Sequence, residues 1–444
     1  MVRDAALDRP LADVDLAVDG DPEATAKALA RTLRGPVFRL SEAFGSWRAL
    51  TRDRGGSVDV SALQGTTIEE DLARRDFTVN AVAVPLGGGE PIDPHRGLED
   101  LRARTLRVLG PQAYADDPLR PLRMVRLAAE LDFAPDEETE RLTAAAAPRL
   151  TEPSAERVYA ELRRLVVAPG ALDGLALAGR LGVLGAVVPE FEELRGIEQS
   201  RFHHLDVYRH TIEVLERLLE IESDLGRFFG EHADAVAAVL AEQLADGMTR
   251  GQALRFGALF HDIAKPRTRG ERPDGRPTFI GHDREGEELS AEIFTRLRAS
   301  DRTRGFVGAM ARHHLVLGFM VHDLPLTPRA VYAYLRRTDP VGVEVTLLSC
   351  ADRMATRGEG QQPWIDAHLE LAREIMGPAL AWRAAGPPAL PLRGDELARE
   401  LDIVPGPELG ELLARLEEAV YTGEVADRDS AVRFARRIRE NPSP

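Results

Sequence analysis

LADVDLAV, residues 11–18, alternates small or acidic residues with branched apolar ones, the two-residue period of a strand. Side chains two apart on a strand share a face, so Asp13 and Asp15 project together. Two carboxylates aimed at one point repel unless a hard cation lies between them, and Mg²⁺ takes such oxygen ligands. Asp59, in SVDVSAL, is a third carboxylate on a neighbouring strand and could complete the site. A DxD pair alone is a weak motif, since a solvated strand edge reads the same way.

Outward from this stretch the first hundred residues mix strand and helix patterns. GPVFRL (35–40), GSVDVSAL (56–63) and TVNAVAVPL (78–86) read as strands, and EATAKALARTL (23–33) as the helix between the first two strands. From about residue 105 the pattern turns helical and stays so. In PLRPLRMVRLAAEL (118–131) the arginines at 120, 123 and 126 recur at three-residue spacing, along one side of a helix. A second helical block, about 200–360, carries nearly all the histidines, and GERPDGRP (270–277) interrupts it as a loop. PPALPLRG (387–394) reads as a linker before a last helical segment.

A chain of 444 residues should hold two to four compact units. No apolar run reaches the length of a membrane span. The N-terminus has no apolar leader and is too acidic for a transit peptide, so the cytoplasm is the expected compartment. One cysteine, Cys350, excludes an internal disulfide and a cysteine zinc cluster. The net charge of −16 argues little against a nucleic-acid partner, because a phosphate backbone responds to a local basic stripe and not to the average.

Five motifs in order, VRD (2–4), DVD (13–15), RRDFTVNA (74–81), IDPHRGLEDL (92–101) and DDPLRPLRMVRLAA (116–129), resemble the class II CCA-adding tRNA nucleotidyltransferase and poly(A) polymerase family. The resemblance covers roughly residues 1–170. Residues 180–360 are similar to the histidine-aspartate (HD) domain often fused to that family. The resemblance implies an α+β chain with a small polymerase-β-like sheet domain followed by all-α neck, HD and tail domains. The expected boundaries are 1–110, 111–200, 201–360 and 361–444.

By that resemblance Asp13, Asp15 and Asp59 are the catalytic carboxylates, with Asp13 and Asp15 as Mg²⁺ ligands. Arg3, Asp4 and Arg75 border the nucleotide, and Asp76 and Asn80 shape its pocket. The family carries Gly-Gly before x-Val-Arg-Asp. This chain opens at Met1 inside that motif, which leads us to expect an N-terminally incomplete sheet domain.

Asp117 and Arg120, three apart, are expected to read the base side by side. A carboxylate accepts from an exocyclic amine and a guanidinium donates to a ring acceptor. Cytosine and adenine satisfy both, whereas uracil and guanine turn a carbonyl oxygen toward the carboxylate, at a cost of about 1–3 kcal/mol. Arg123 and Arg126 are expected further along the same face, toward the triphosphate.

His210, His261, Asp262 and Asp352 fit the spacing of the HD domain, and imidazole with carboxylate suits Mg²⁺, Mn²⁺, Ni²⁺ or another divalent ion. His282, His313 and His314 are further candidate ligands that would extend the site to two metals. Lys265 could meet a phosphate. His203 and His204 read as packing or surface residues.

The preferred reading is an enzyme that joins CTP and ATP to tRNA 3′ ends without a template. CC-adding, A-adding and poly(A)-making relatives share the motifs, and a phosphohydrolase with a decayed transferase half is a competing reading. A non-catalytic RNA-binding protein ranks last, because binding gives no reason to gather carboxylates on a strand. Oligomeric state is not legible.

Overall fold

The carboxylate-bearing stretch forms β1, Asp13–Val18, in a four-stranded sheet with β2 (Val37–Ser41), β3 (Ser46–Leu50) and β4 (Ser57–Ala62). This computed structural model describes every residue except 12, 42–44, 54, 201, 359 and 441–444. Strand order is β1-β4-β3-β2, with β1 parallel to β4 and the other pairs antiparallel. A parallel pair needs a crossover, and the helix Pro22–Leu33 followed by the β2–β3 hairpin supplies it. Asp21 caps that helix by accepting from the Glu23 and Ala24 N–H groups, Pro22 pre-sets its first turn, and Arg34 at φ 53° ends it. Ala26 and Ala30 are buried, as are Ala49 and Val60 of the sheet. Side chains of β1 alternate, with Asp13 and Asp15 exposed and Val14 and Leu16 half-buried.

Two readings are corrected here. The segment 78–86 is no strand: Thr78–Asn80 makes a 3₁₀ turn, followed by an isolated Ala83–Ile92 bridge. Side chains override the alternation. Thr78 Oγ1 donates to Asp100 and Asn80 Nδ2 donates to Asp76, local bonds that compete with a ladder. Conversely, Ser46–Leu50 is a full strand, although Arg48 at its centre masks the pattern.

IDPHRGLEDL holds this turn in place. The Asp93 carboxylate accepts from the Gly97 and Leu98 N–H groups and starts the helix Gly97–Ala103. A Cβ on Gly97 would fall 2.1 Å from the Thr78 carbonyl oxygen, so the close approach demands glycine.

The chain divides into two compact units, residues 1–188 and 189–444. The first continues through the helices Arg120–Leu131, Ala155–Val167 and Ala171–Arg180. The second contains the helices Val207–Ser223, Arg250–Phe260, His282–Arg296, Asp301–His313 and Gly342–Ala355. Its core includes Phe256, Phe260 and Phe294 in edge-to-face contact. A separate apolar cluster from Leu392 to Ala435 joins the last three helices. Among the described residues, no helix is long and apolar enough to cross a membrane.

Candidate functional site

In the first unit, strand register brings the three carboxylates to one face. Asp15 lies opposite Asp59 across the parallel β1–β4 pair, and Asp13 lies opposite Ser57, whose hydroxyl donates to it at 2.5 Å. Asp15 is two-thirds exposed, so the face opens to solvent. Arg48, opposite Asp59 on β3, donates to both its oxygens at 2.6 and 2.7 Å. The Asp59 hydrogen bond raises the Arg48 pKa against the lowering effect of burial, and the charges of Asp59, Asp13 and Asp15 add to the rise. Arg48 was not anticipated from sequence. A charged residue at the centre of an apolar strand was the available clue.

Arg3 donates to the Asn80 side-chain oxygen Oδ1 at 2.9 Å and pairs with Asp4. Asp76 is buried and accepts from the Phe77 N–H, Asn80 and Arg123. Burial opposes its ionisation, yet Arg123, Asn80 and Arg120 hold its pKa below the ordinary carboxylate value. Arg75 is tied to the buried Asp71 at 2.6 Å.

Arg126 requires a correction. Only 5% exposed, it donates to Glu161 at 2.5 Å and to Glu130 at 2.6 Å, and so serves the helix packing rather than a triphosphate. Glu161, which also accepts from Arg123, went unnoticed in the sequence.

Asp117 and Arg120 do not share a helix turn as expected. Asp117 follows the helix Pro111–Asp116 with extended φ/ψ of −142° and 101°, while Arg120 opens the next helix. The Arg120 guanidinium donates to the backbone oxygens of Arg74, Arg75 and Ala113. Asp117 accepts instead from Arg157, at 2.8 Å, a residue the sequence reading passed over.

The second unit gathers the four expected HD residues. His210 Nε2 lies 3.0 Å from Asp352 and 3.7 Å from Asp262, and His261 Nε2 lies 3.1 Å from Asp262. His282 and His314 approach the other Asp262 oxygen at 3.3 and 3.6 Å. Two triads that could each hold a metal ion result, His210–His261–Asp262 and Asp262–His282–His314, with Asp262 common to both. His261, His282 and His314 each place Nδ1 within 2.8 Å of a backbone carbonyl, of Ala258, Phe279 and Ala311. In the neutral ring that bond keeps the proton on Nδ1 and leaves Nε2 as a lone pair aimed inward.

His261 Nε2 and Asp262 Oδ1 are buried without a hydrogen-bond partner, which a cation would satisfy. Burial opposes the ionisation of Asp262, but His261 and Lys265 hold its pKa well below normal. Burial pushes His314 down to about 3, the neutral form a ligand needs. Lys265 Nζ sits 2.6 Å from Asp262 and donates to Gln199.

His313 is a correction. It lies outside both triads, because consecutive helix residues point about 100° apart and only His314 turns inward. His203, assigned to packing or surface, stacks edge-on against His210 at 5.1 Å and so borders the cluster.

A strand-borne carboxylate trio beside a helical neck, with a separate His/Asp cluster, defines a nucleotidyltransferase joined to an HD domain. The matching families agree: poly A polymerase head domain over residues 48–107, probable RNA and SrmB-binding site of polymerase A over 132–194, and HD domain over 207–357. An A-adding tRNA nucleotidyltransferase of Deinococcus radiodurans is 35% identical, across 95% of this chain and 90% of that protein. A CC-adding tRNA nucleotidyltransferase of Thermus thermophilus is 33% identical across 98% and 91%, and a multifunctional CCA protein of Xanthomonas campestris pv. campestris 32% identical across 93% and 94%. The solved Thermotoga maritima CCA-adding enzyme complexed with tRNA shares the fold, with TM-score 0.61 and 20% identity over 98% of this chain and 89% of that one. The chain belongs to the CCA-adding tRNA nucleotidyltransferase family.

Proposed function

We propose that this protein adds C, C and A to tRNA 3′ ends from CTP and ATP, releasing pyrophosphate, without a nucleic-acid template. The observation that carries the reading is the placement of Asp13, Asp15 and Asp59 on one sheet face, open to solvent at Asp15. Exposed carboxylates in that register suit Mg²⁺, held by Asp13 and Asp15 with Asp59 alongside. Mg²⁺ bound there would supply positive charge against the triphosphate and the attacking hydroxyl. Arg3, Asp4 and Arg75 border the nucleotide, Asp76, Asn80 and Arg123 build its pocket floor, and Asp117 with Arg120 faces the base. Residues 1–110 form the transferase head and 111–200 the neck. Acceptor-stem RNA is read by shape and 2′-hydroxyls, not by base sequence. This is work for the cytoplasm, where tRNA is.

The HD residues fit a divalent cation, or two sharing Asp262. A cation there would make a bound water acidic enough to attack a phosphoester. We assign residues 201–360 to this hydrolase and 361–444 to a helical tail.

Transfer is tested by incubating the protein with tRNA lacking one, two or three 3′ nucleotides and each labelled nucleoside triphosphate. Asp13→Ala with Asp15→Ala should abolish incorporation and leave phosphodiester hydrolysis intact, and His261→Ala with Asp262→Ala should do the reverse. Incorporation surviving the first double substitution would refute the assigned site. A second reading, addition of A alone or of CC alone, draws on the A-adding and CC-adding relatives at 35% and 33% identity. The same assay separates it by which shortened tRNA is extended.

A further inference from the structure

We infer that Arg48 withholds Asp59 from the cation site and so keeps the affinity of the free sheet face for a divalent ion low, an inference resting on the reading that Asp13 and Asp15 hold that ion. The three carboxylates are engaged in different ways. Asp15 is two-thirds exposed. Asp13 accepts from the Ser57 hydroxyl, a neutral donor that does not repel a cation. Asp59 is 18% exposed and accepts from Arg48 on both oxygens, Nε on Oδ1 at 2.6 Å and Nη2 on Oδ2 at 2.7 Å.

Strand register holds this pair in place. Arg48 lies on β3 opposite Phe38 of β2 on one side and Asp59 of β4 on the other, so the backbone carrying it is bonded along both edges. A two-pronged arginine–carboxylate pair is strong and directional, and partial burial weakens its screening by salt.

The pair acts on a cation in two ways. Its prongs occupy the side of the carboxylate where both oxygens point together, so Asp59 cannot chelate an ion there without releasing Arg48. Its guanidinium also sets a positive charge beside the face where the ion must sit, and like charges repel. The free face is left with the carboxylates of Asp13 and Asp15. Mg²⁺ binds through one or two carboxylates together with substrate phosphates, so a triphosphate can supply the oxygens that Asp59 does not.

The test follows Mn²⁺ binding to the full chain by electron paramagnetic resonance, without nucleotide, in a His261→Ala, Asp262→Ala background that removes two ligands of the HD cluster. Only binding that Asp13→Ala with Asp15→Ala abolishes is counted. Arg48→Gln and Arg48→Met, the second keeping the apolar stem that packs on the sheet, should each tighten this binding about tenfold, the worth of one unit charge near a divalent ion at a solvated surface. Arg48→Lys separates charge from withholding. It keeps the charge but has no fork, so one Asp59 oxygen is freed and binding should tighten by about threefold. Asp59→Asn added to Arg48→Gln should reverse the gain. Parent affinity in both Arg48→Gln and Arg48→Met would overturn the inference. A gain in those two with parent affinity in Arg48→Lys, or a gain that survives Asp59→Asn, would also overturn it, because Arg48 would then act as a charge alone or Asp59 would be no ligand. If Asp13→Ala with Asp15→Ala abolishes no binding, the cation site itself is misassigned and the fault lies with the underlying reading.

Discussion

At the scale of single residues, adjacent positions in the same motif do different work. His313 and His314 are neighbours, yet only His314 points its Nε2 at Asp262. Metal content measured by mass spectrometry should therefore fall in His314→Ala and His282→Ala and stay at the parent level in His313→Ala. Arg123 and Arg126 differ in the same way. Arg126 is locked between Glu161 and Glu130, and Arg126→Ala should cost about 3 kcal/mol in urea denaturation, the low end for a broken buried pair because Arg123 still serves Glu161.

Asp76 adds a pH dependence. Its folded pKa lies below the unfolded value, so its stabilisation is present above that unfolded value and is lost as pH falls through the folded one. Below about pH 4 the parent should lose stability more steeply than Asp76→Asn. The clustered His/Asp residues were legible in the sequence, because HD followed by a distant Asp names its own chemistry. Long-range partners in the first unit were not. Arg48, Glu161 and Arg157 meet their carboxylates across 11, 38 and 40 residues, separations that no local pattern encodes.

Among the elements, legibility followed the strength of the local period. β1, β4 and the crossover helix could be read because alternation and an Asp-Pro start agree. β3 escaped because Arg48 breaks the apolar pattern while gaining a partner in Asp59. TVNAVAVPL misled because its side chains, not its period, set the backbone. The helix Arg250–Phe260, which leads directly into His261 and Asp262, begins with a capping box between Thr249 and Gln252. Thr249→Ala should lower stability by about 1 kcal/mol in urea denaturation, since an orphaned N–H loses its acceptor. The helix pair Arg120–Leu131 and Ala171–Arg180 depends on Gly174, where an added Cβ would lie 2.7 Å from that of Ala129 and 2.6 Å from the Leu165 methyl.

For the whole molecule, the two compact units hold different groups, the carboxylates of one sheet face before residue 188 and the His/Asp cluster after it. Chelation should thus loosen the second unit and spare the first. Hydrogen exchange in excess EDTA should accelerate in the helices Val207–Ser223, Arg250–Phe260 and His282–Arg296, while the β1–β4 sheet keeps its protection. Uniform acceleration would contradict that separation. The cluster has a property that its two triads, drawn as separate cups, would hide. Because both lean on position 262, occupancy of one cup alters the charge offered to the other. Cation uptake by the second unit should therefore trace a single coupled isotherm, in which the first arrival changes the terms for the next.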